Sequence, residues 1–124
     1  MKTYTVEIDN KGTKRWYING KLHREDGPAV ECASGYKSWY INDKLHRKDG
    51  PAIEFANGSK EWYSNGKLHR EDGPAVEWAN EYKAWYINGK RVTEQDVLNL
   101  SQTLEIEGVK YSVAQIKAAL KKVA

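Results

Sequence analysis

Trp recurs at positions 16, 39, 62 and 85, and each time it opens the same alternation of apolar and polar residues. In "PAIEFANGSKEWYSN", Ile53 and Phe55 alternate with Ala52 and Glu54, and Trp62 alternates with Tyr63. A period of two is the signature of strands, because successive side chains leave opposite faces of a sheet. The common spacing of 23 residues belongs to the range of repeat architectures. Three complete units span 16–38, 39–61 and 62–84. Each reads Trp-Tyr-x-Asn-(Gly/Asp)-Lys-Leu-His-Arg-x-Asp-Gly-Pro-Ala-(Val/Ile)-Glu, and a fourth stops after "WYINGK".

Turn chemistry converts the pattern into a register. Asn57-Gly58 is a strong hairpin signal, because a type I′ turn needs positive φ at both central residues. A two-residue turn there sets Ile53 opposite Trp62, Phe55 opposite Lys60 and Ala52 opposite Tyr63. The same rule at Ser34-Gly35 sets Val30 opposite Trp39, and at Asn80-Glu81 it sets Val76 opposite Trp85. The opening segment "TVEIDNKGTKRW" reads as half a unit with one extra residue. It predicts a three-residue loop, Asn10-Lys11-Gly12, with Gly12 left-handed in a G1 bulge and Val6 opposite Trp16.

These pairings predict two faces. The expected core face carries Val6, Val30, Ile53 and Val76, the Trp ladder, and Ile8, Cys32, Phe55 and Trp78. The expected outer face carries Tyr17, Tyr40, Tyr63 and Tyr86 with Glu31, Glu54 and Glu77. An open sheet of this kind leaves edges able to pair with another chain, so an edge-to-edge dimer is one expected assembly.

After Lys90 the repeat is lost. Thr93 with Asp96 suggests a helix cap, "TLEIEGVKYS" reads as a hairpin turning at Glu107-Gly108, and Ser112 with Gln115 matches a capping box. A final helix over 113–123 would place Val113, Ile116, Leu120 and Val123 on one stripe, with Lys117, Lys121 and Lys122 opposite. The expectation is a mainly β fold: an antiparallel β-hairpin repeat meander over 1–92, with a small C-terminal α/β cap over 93–124 in the same globule. Terminal units of repeat proteins are atypical because they must protect the last apolar face.

Composition changes this picture little. The chain of 124 residues suits one domain. Its net charge of +3 comes from 20 basic and 17 acidic residues interspersed along the chain, so no basic tract points to nucleic acid. Cys32 stands alone, which excludes an internal disulfide and fits a reducing compartment. With no apolar run of spanning length, the expectation is a cytoplasmic protein without a membrane span.

The unit with its Trp/Tyr strand, "NGK", His and later Gly resembles the MORN repeat. The form "WYINGKLHREDGPA" looks like the MORN-like variant seen in proteins of bacteriophages and large DNA viruses. The resemblance covers residues 5–92; Arg24, Arg47 and Arg70 stand where the usual pattern has Gly, and "DGPA" is added. It implies a ladder of hairpins that scaffolds or contacts proteins, with lipid contact in some members, no catalytic chemistry and no cofactor. A viral accessory protein that occupies a host protein, such as a defence protein, follows as an implication of that resemblance.

The chemically able residues are the row His23, His46 and His69, with Arg24, Arg47 and Arg70 and, two residues further on, Asp26, Asp49 and Asp72. Two strands per unit at ~4.8 Å each put equivalent histidines roughly 9–10 Å apart, too far to share an ion whose ligands lie ~2.1 Å from it. The expected role of the block is to satisfy backbone groups in a tight connector. No metal, catalytic or cofactor residue is assigned. The partner-binding residues expected are Tyr17, Tyr40, Tyr63 and Tyr86, since Tyr is enriched at protein interfaces. The alternative is a phosphate-reading row for nucleic acid or lipid headgroups, built from Arg24, Arg47 and Arg70 with His23, His46 and His69.

Overall fold

The computed structural model describes residues 3–101, 103–112, 114–116 and 118–119. A first hairpin joins β1 (Thr5–Ile8) to β2 (Lys14–Ile18), which turns back into β3 (Lys21–Leu22). The second pair of hairpins contributes β4 (Val30–Glu31), β5 (Lys37–Ser38), β6 (Tyr40–Ile41) and β7 (Lys44–Leu45). The third contributes β8 (Ile53–Glu54), β9 (Lys60–Glu61), β10 (Tyr63–Ser64) and β11 (Lys67–Leu68). The last has β12 (Val76–Glu77), β13 (Lys83–Ile87) and β14 (Lys90–Val92).

The architecture is mainly β. Antiparallel pairing in the order β1-β2-β4-β5-β8-β9-β12-β13-β14 makes one long meander. Second hairpins branch from it where β3 pairs with β2, β7 with β6 and β11 with β10, and a fourth, β13 with β14, ends it. Their turns are Asn19-Gly20, Asn42-Asp43, Asn65-Gly66 and Asn88-Gly89, every residue at positive φ. This is the type I′ geometry that Asn-Gly favours.

The first hairpins turn differently, and this overturns part of the expected register. In all four, the residues flanking a three-residue loop share a hydrogen bond: Asp9 with Thr13, Cys32 with Tyr36, Phe55 with Ser59, Trp78 with Tyr82. The last loop residue is left-handed each time, at Gly12, Gly35, Gly58 and Glu81. The bulged loop expected only at the N-terminus is therefore the rule, and Asn57 is not part of a I′ pair. Val6 does face Trp16. Val30 faces Ser38, however, Ile53 faces Glu61 and Val76 faces Ala84, not Trp39, Trp62 and Trp85. Phe55 likewise bonds Ser59 instead of Lys60, and the Ala52 amide reaches the Glu61 carbonyl, so Ala52 does not stand opposite Tyr63.

A slip of one residue sends every side chain of a strand to the other face. Val30, Ile53 and Val76 thus share a face with Tyr40 and Tyr63, whose nearest strand neighbours of the same parity are Ser38 and Glu61. Glu31, Glu54 and Glu77 move to the Trp face and alternate there with Lys37, Lys60 and Lys83 across the ladder. Val6 and Ile8, expected in the core, are 46% and 65% exposed. Among the described residues most of the buried ones are small, Ala29, Ala52, Ala75, Ala84, Ser38, Thr13 and Ser59, joined by Ile53, Val76, Val97, Asn99 and His23.

Glu81 occupies the position that Gly12, Gly35 and Gly58 fill elsewhere, at φ 70°. A side chain in the left-handed region costs about 1–2 kcal/mol. Replacing Glu81→Gly should raise stability by about 0.5–1 kcal/mol, after the extra entropy of an unfolded glycine is subtracted. An upward shift of the urea midpoint at unchanged slope is the expected result.

The tail begins with α1 (Glu94–Ser101), capped reciprocally: the Asp96 amide donates to Thr93 Oγ1 at 3.1 Å and the Thr93 amide to Asp96 Oδ2 at 3.0 Å. Then β15 (Thr103–Ile106) and β16 (Val109–Ser112) pair around Glu107-Gly108, as expected. The Ser112 and Gln115 box also forms, and 114–116 and 118–119 are helical. Val113, Lys117 and residues 120–123 of the expected final helix lie outside the described residues. Thr93 stands where an arginine would follow Trp85 in a full unit, and Val97 and Leu98 of α1 border the cavity beside that ring. Among the described residues no helix is long and apolar enough to cross a membrane.

Candidate functional site

The connector from Leu-His-Arg to Gly-Pro-Ala is built by side chains that hold backbone. Each histidine amide donates to the carbonyl of its own unit's Trp at 3.0 Å. Its Nδ1 accepts from the turn of the following unit: the amide of Asn42 to His23 (3.1 Å), of Asn65 to His46 (3.1 Å) and of Asn88 to His69 (3.0 Å). An accepting Nδ1 selects the neutral tautomer that carries hydrogen on Nε2. That nitrogen lies 3.5 Å from Glu25 in His23 and 3.4 Å from Glu71 in His69. In the middle unit Lys48 stands at the matching position. The three histidines are thus repeated fasteners between units, and among the described residues no three of His, Cys, Asp and Glu gather to hold a metal ion.

Each arginine closes over its own tryptophan. Cζ of Arg24, Arg47 and Arg70 lies 4.0, 3.9 and 3.9 Å from the ring centroids of Trp16, Trp39 and Trp62. Nη1 donates to the carbonyls of Pro28, Pro51 and Pro74 at 3.2, 3.1 and 3.0 Å. Nε of Arg24 and Arg70 donates to Asp26 and Asp72, and their Nη1 also reaches Glu31 and Glu77. Glycine leaves room for this stack. A Cβ on Gly27, Gly50 or Gly73 would come within 2.9, 3.0 or 2.8 Å of the guanidinium carbon, so the arginine would have to shift. Sequence, connector and packing are therefore one device: Arg-x-Asp-Gly-Pro is a clasp on the Trp ladder.

The other face carries Tyr17, Tyr40, Tyr63 and Tyr86, each half-buried. Register also places Leu22, Leu45 and Leu68 there, paired with Tyr17, Tyr40 and Tyr63. Burial, helped by nearby Tyr36, raises the Tyr40 hydroxyl above the ordinary phenol range. Burial also raises Tyr63, further still, reinforced by its bond to the Glu61 carboxylate: Tyr63 O–H donates to Oε1 at 2.9 Å. Both hydroxyls stay protonated donors.

This face holds residues that sequence reasoning missed as site residues. Tyr36 meets Phe55 edge to face at 5.7 Å, and Trp78 lies against Tyr82 at 4.8 Å. Glu61 accepts from the Trp78 indole N–H at 3.0 Å. Phe55 and Trp78 were expected to lie inside because the assumed turn was one residue short. The signal that could have found Glu61 is its departure from Ser38 and Ala84, the small residues at the same repeat position. Cys32 is half-buried, at the position of Phe55 and Trp78.

Comparison with known proteins returns no matching family model, no matching curated protein and no matching solved structure.

Proposed function

We propose that this chain is a non-enzymatic binding module of MORN-like repeats that engages another protein through its tyrosine-bearing face. The observation that carries the reading is the row of Tyr17, Tyr40, Tyr63 and Tyr86, each half-buried along one face of the meander where Ile53 and Val76 are buried, so that the rings supply the part of this face open to a partner. Rings that combine apolar area with a protonated hydroxyl suit a protein interface. The total exposed area of 8657 Å² exceeds the roughly 6,800 Å² expected of a compact globule of this mass, so much of the sheet is presented to solvent. The arginine row supports the same choice from the opposite direction. Its guanidinium groups are stacked and hydrogen-bonded inside the chain, which leaves less of them for phosphate.

The resemblance to MORN-like proteins of phages and large DNA viruses supplies the setting: an accessory protein in the host cytoplasm that occupies a host protein, such as one of its defences. The test is capture of partners from host extract with the native chain and with Tyr40→Ala and Tyr63→Ala. Capture should fall by about tenfold with each variant while circular dichroism shows the sheet intact, the size expected when one well-packed interface aromatic is truncated. Capture unaffected by both variants, or a steep loss with added salt that follows replacement of Arg24, Arg47 and Arg70, would instead support phosphate reading.

A further inference from the structure

The repeat is interrupted chemically at one place on the tyrosine face. Between the tips of the third and fourth first hairpins lies a groove of about 440 Å³, walled by Phe55 and Trp78 with Glu61 at its base. Elsewhere in the ladder the wall position is Asp9 or Cys32 and the base position is Arg15, Ser38 or Ala84. Two aromatic walls and a carboxylate coincide only here.

The groove is organised before any ligand arrives. Glu61 takes the Tyr63 hydroxyl on Oε1 and the Trp78 indole on Oε2, at 2.9 and 3.0 Å. Tyr82 supports one side of the Trp78 ring. Ser59 Oγ accepts the Ala79 amide at 2.9 Å, which pins the loop that carries Trp78 to the neighbouring hairpin. Both bonds to Glu61 come from neutral donors, so its charge is fixed in place and not cancelled. Each carboxylate oxygen keeps a second lone pair for another donor. No Lys or Arg lines the groove. Lys60 and Lys83 are close in sequence, but the register sends them to the opposite face, across from Glu77.

We infer that this groove receives a cationic side chain, lysine or arginine, of the protein partner. A cation over an aromatic face beside a carboxylate gains from the ring quadrupole and from the charge together. The loop amides suit a peptide around that side chain. Asn57 and Asn80 hold Ser59 and Tyr82 amides through Oδ1, and their NH2 groups remain as donors toward peptide carbonyls. The inference rests on the protein-binding reading of this face and names the chemistry of its partner.

The experiment titrates the full chain with short peptides that carry lysine, trimethyllysine, arginine or acetyl-lysine, and with a neutral oligosaccharide, following the Trp78 indole N–H resonance. The repeat itself supplies a tolerated variant: Glu61→Ser copies Ser38. The cationic peptides should shift the resonance and bind about tenfold more tightly than the acetyl-lysine peptide, and Glu61→Ser should remove that preference. Equal affinity for acetyl-lysine, binding of the sugar in place of the peptides, or a preference that survives Glu61→Ser would overturn the inference. If Glu61→Ser leaves partner capture intact while Tyr40→Ala and Tyr63→Ala abolish it, the cationic site is wrong and the tyrosine face stands. If neither set of variants affects capture, both readings fall.

Discussion

Replacing Arg70→Ala is expected to destabilise the protein by about 2–4 kcal/mol. The change removes the stack on Trp62, worth about 1–2 kcal/mol for a partly desolvated pair. It also removes the bond to the Pro74 carbonyl, and a lost bond to a charged donor costs about 1.5–3 kcal/mol. The partners lie at 3.9 Å from the ring centroid and 3.0 Å from the carbonyl. Arg70→Lys should recover only a small part. An ammonium has no planar face to lay on the indole and no fixed fork to reach Pro74 and Asp72 together. Arg47→Ala should cost somewhat less, since the bonds of Arg47 run to Pro51 and, at 3.9 Å, to Glu54. Urea unfolding measures the series. A variant at position 70 as stable as the native chain would show that the clasp holds nothing, and would return the arginines to the surface chemistry that their sequence first suggests.

The second large effect concerns the smallest side chains. Ala29, Ala52 and Ala75 are wholly buried, and each carbonyl accepts from the Trp amide of its own unit, Trp16, Trp39 and Trp62, at 2.8 Å. Ala52→Leu inserts three carbons into this close approach and should cost about 2–3 kcal/mol through displaced neighbours, at the upper end of ordinary overpacking. Cys32→Phe should be nearly neutral by comparison, since Phe55 occupies the same place one unit on. Thermal unfolding of the two variants checks the contrast, with about 4 °C expected per kcal/mol in a chain of this size. If Ala52→Leu unfolds at the native temperature, the Trp face is looser than its alanine row implies.

Much of this fold could be read from sequence, and the part that could not has a specific cause. The period of 23, the half unit at the N-terminus and the three capped or turned elements of the tail all follow from local signals, each of which involves residues within a few positions of one another. The register failed on a degenerate signal. Asn57-Gly58 fits a two-residue I′ turn, and it equally fits the last two places of a three-residue loop whose only left-handed residue is the glycine. The flanking hairpins decide between them: Gly12, Gly35 and Gly58 share one repeat position, whereas the position before it is Lys11, Ser34, Asn57 and Asn80 in turn. Reading the first loop as an exception reversed the faces and hid Phe55, Trp78 and Glu61 from the functional search. The clasp was half visible. Gly27, Gly50 and Gly73 lie close against the guanidinium groups and have no positive φ, so the repeated glycine pointed to a close neighbour. Its identity required the connector to fold Arg back over a Trp eight residues earlier, a contact that no strand or helix period encodes.

The histidine bonds give the ladder a direction. Every Nδ1 reaches forward, from its own unit to the turn of the next. Each unit therefore presents to its successor the same surface that it received from its predecessor, offset by a fixed translation along the chain. Such a chain has the symmetry of a one-dimensional lattice, in which the ends are boundary conditions and the interior is indifferent to its own length. Gain or loss of a whole unit preserves the contacts that every unit repeats. Novelty is then free to enter as a substitutional defect, a single foreign residue in an otherwise periodic frame, and Glu61 is a defect of that kind.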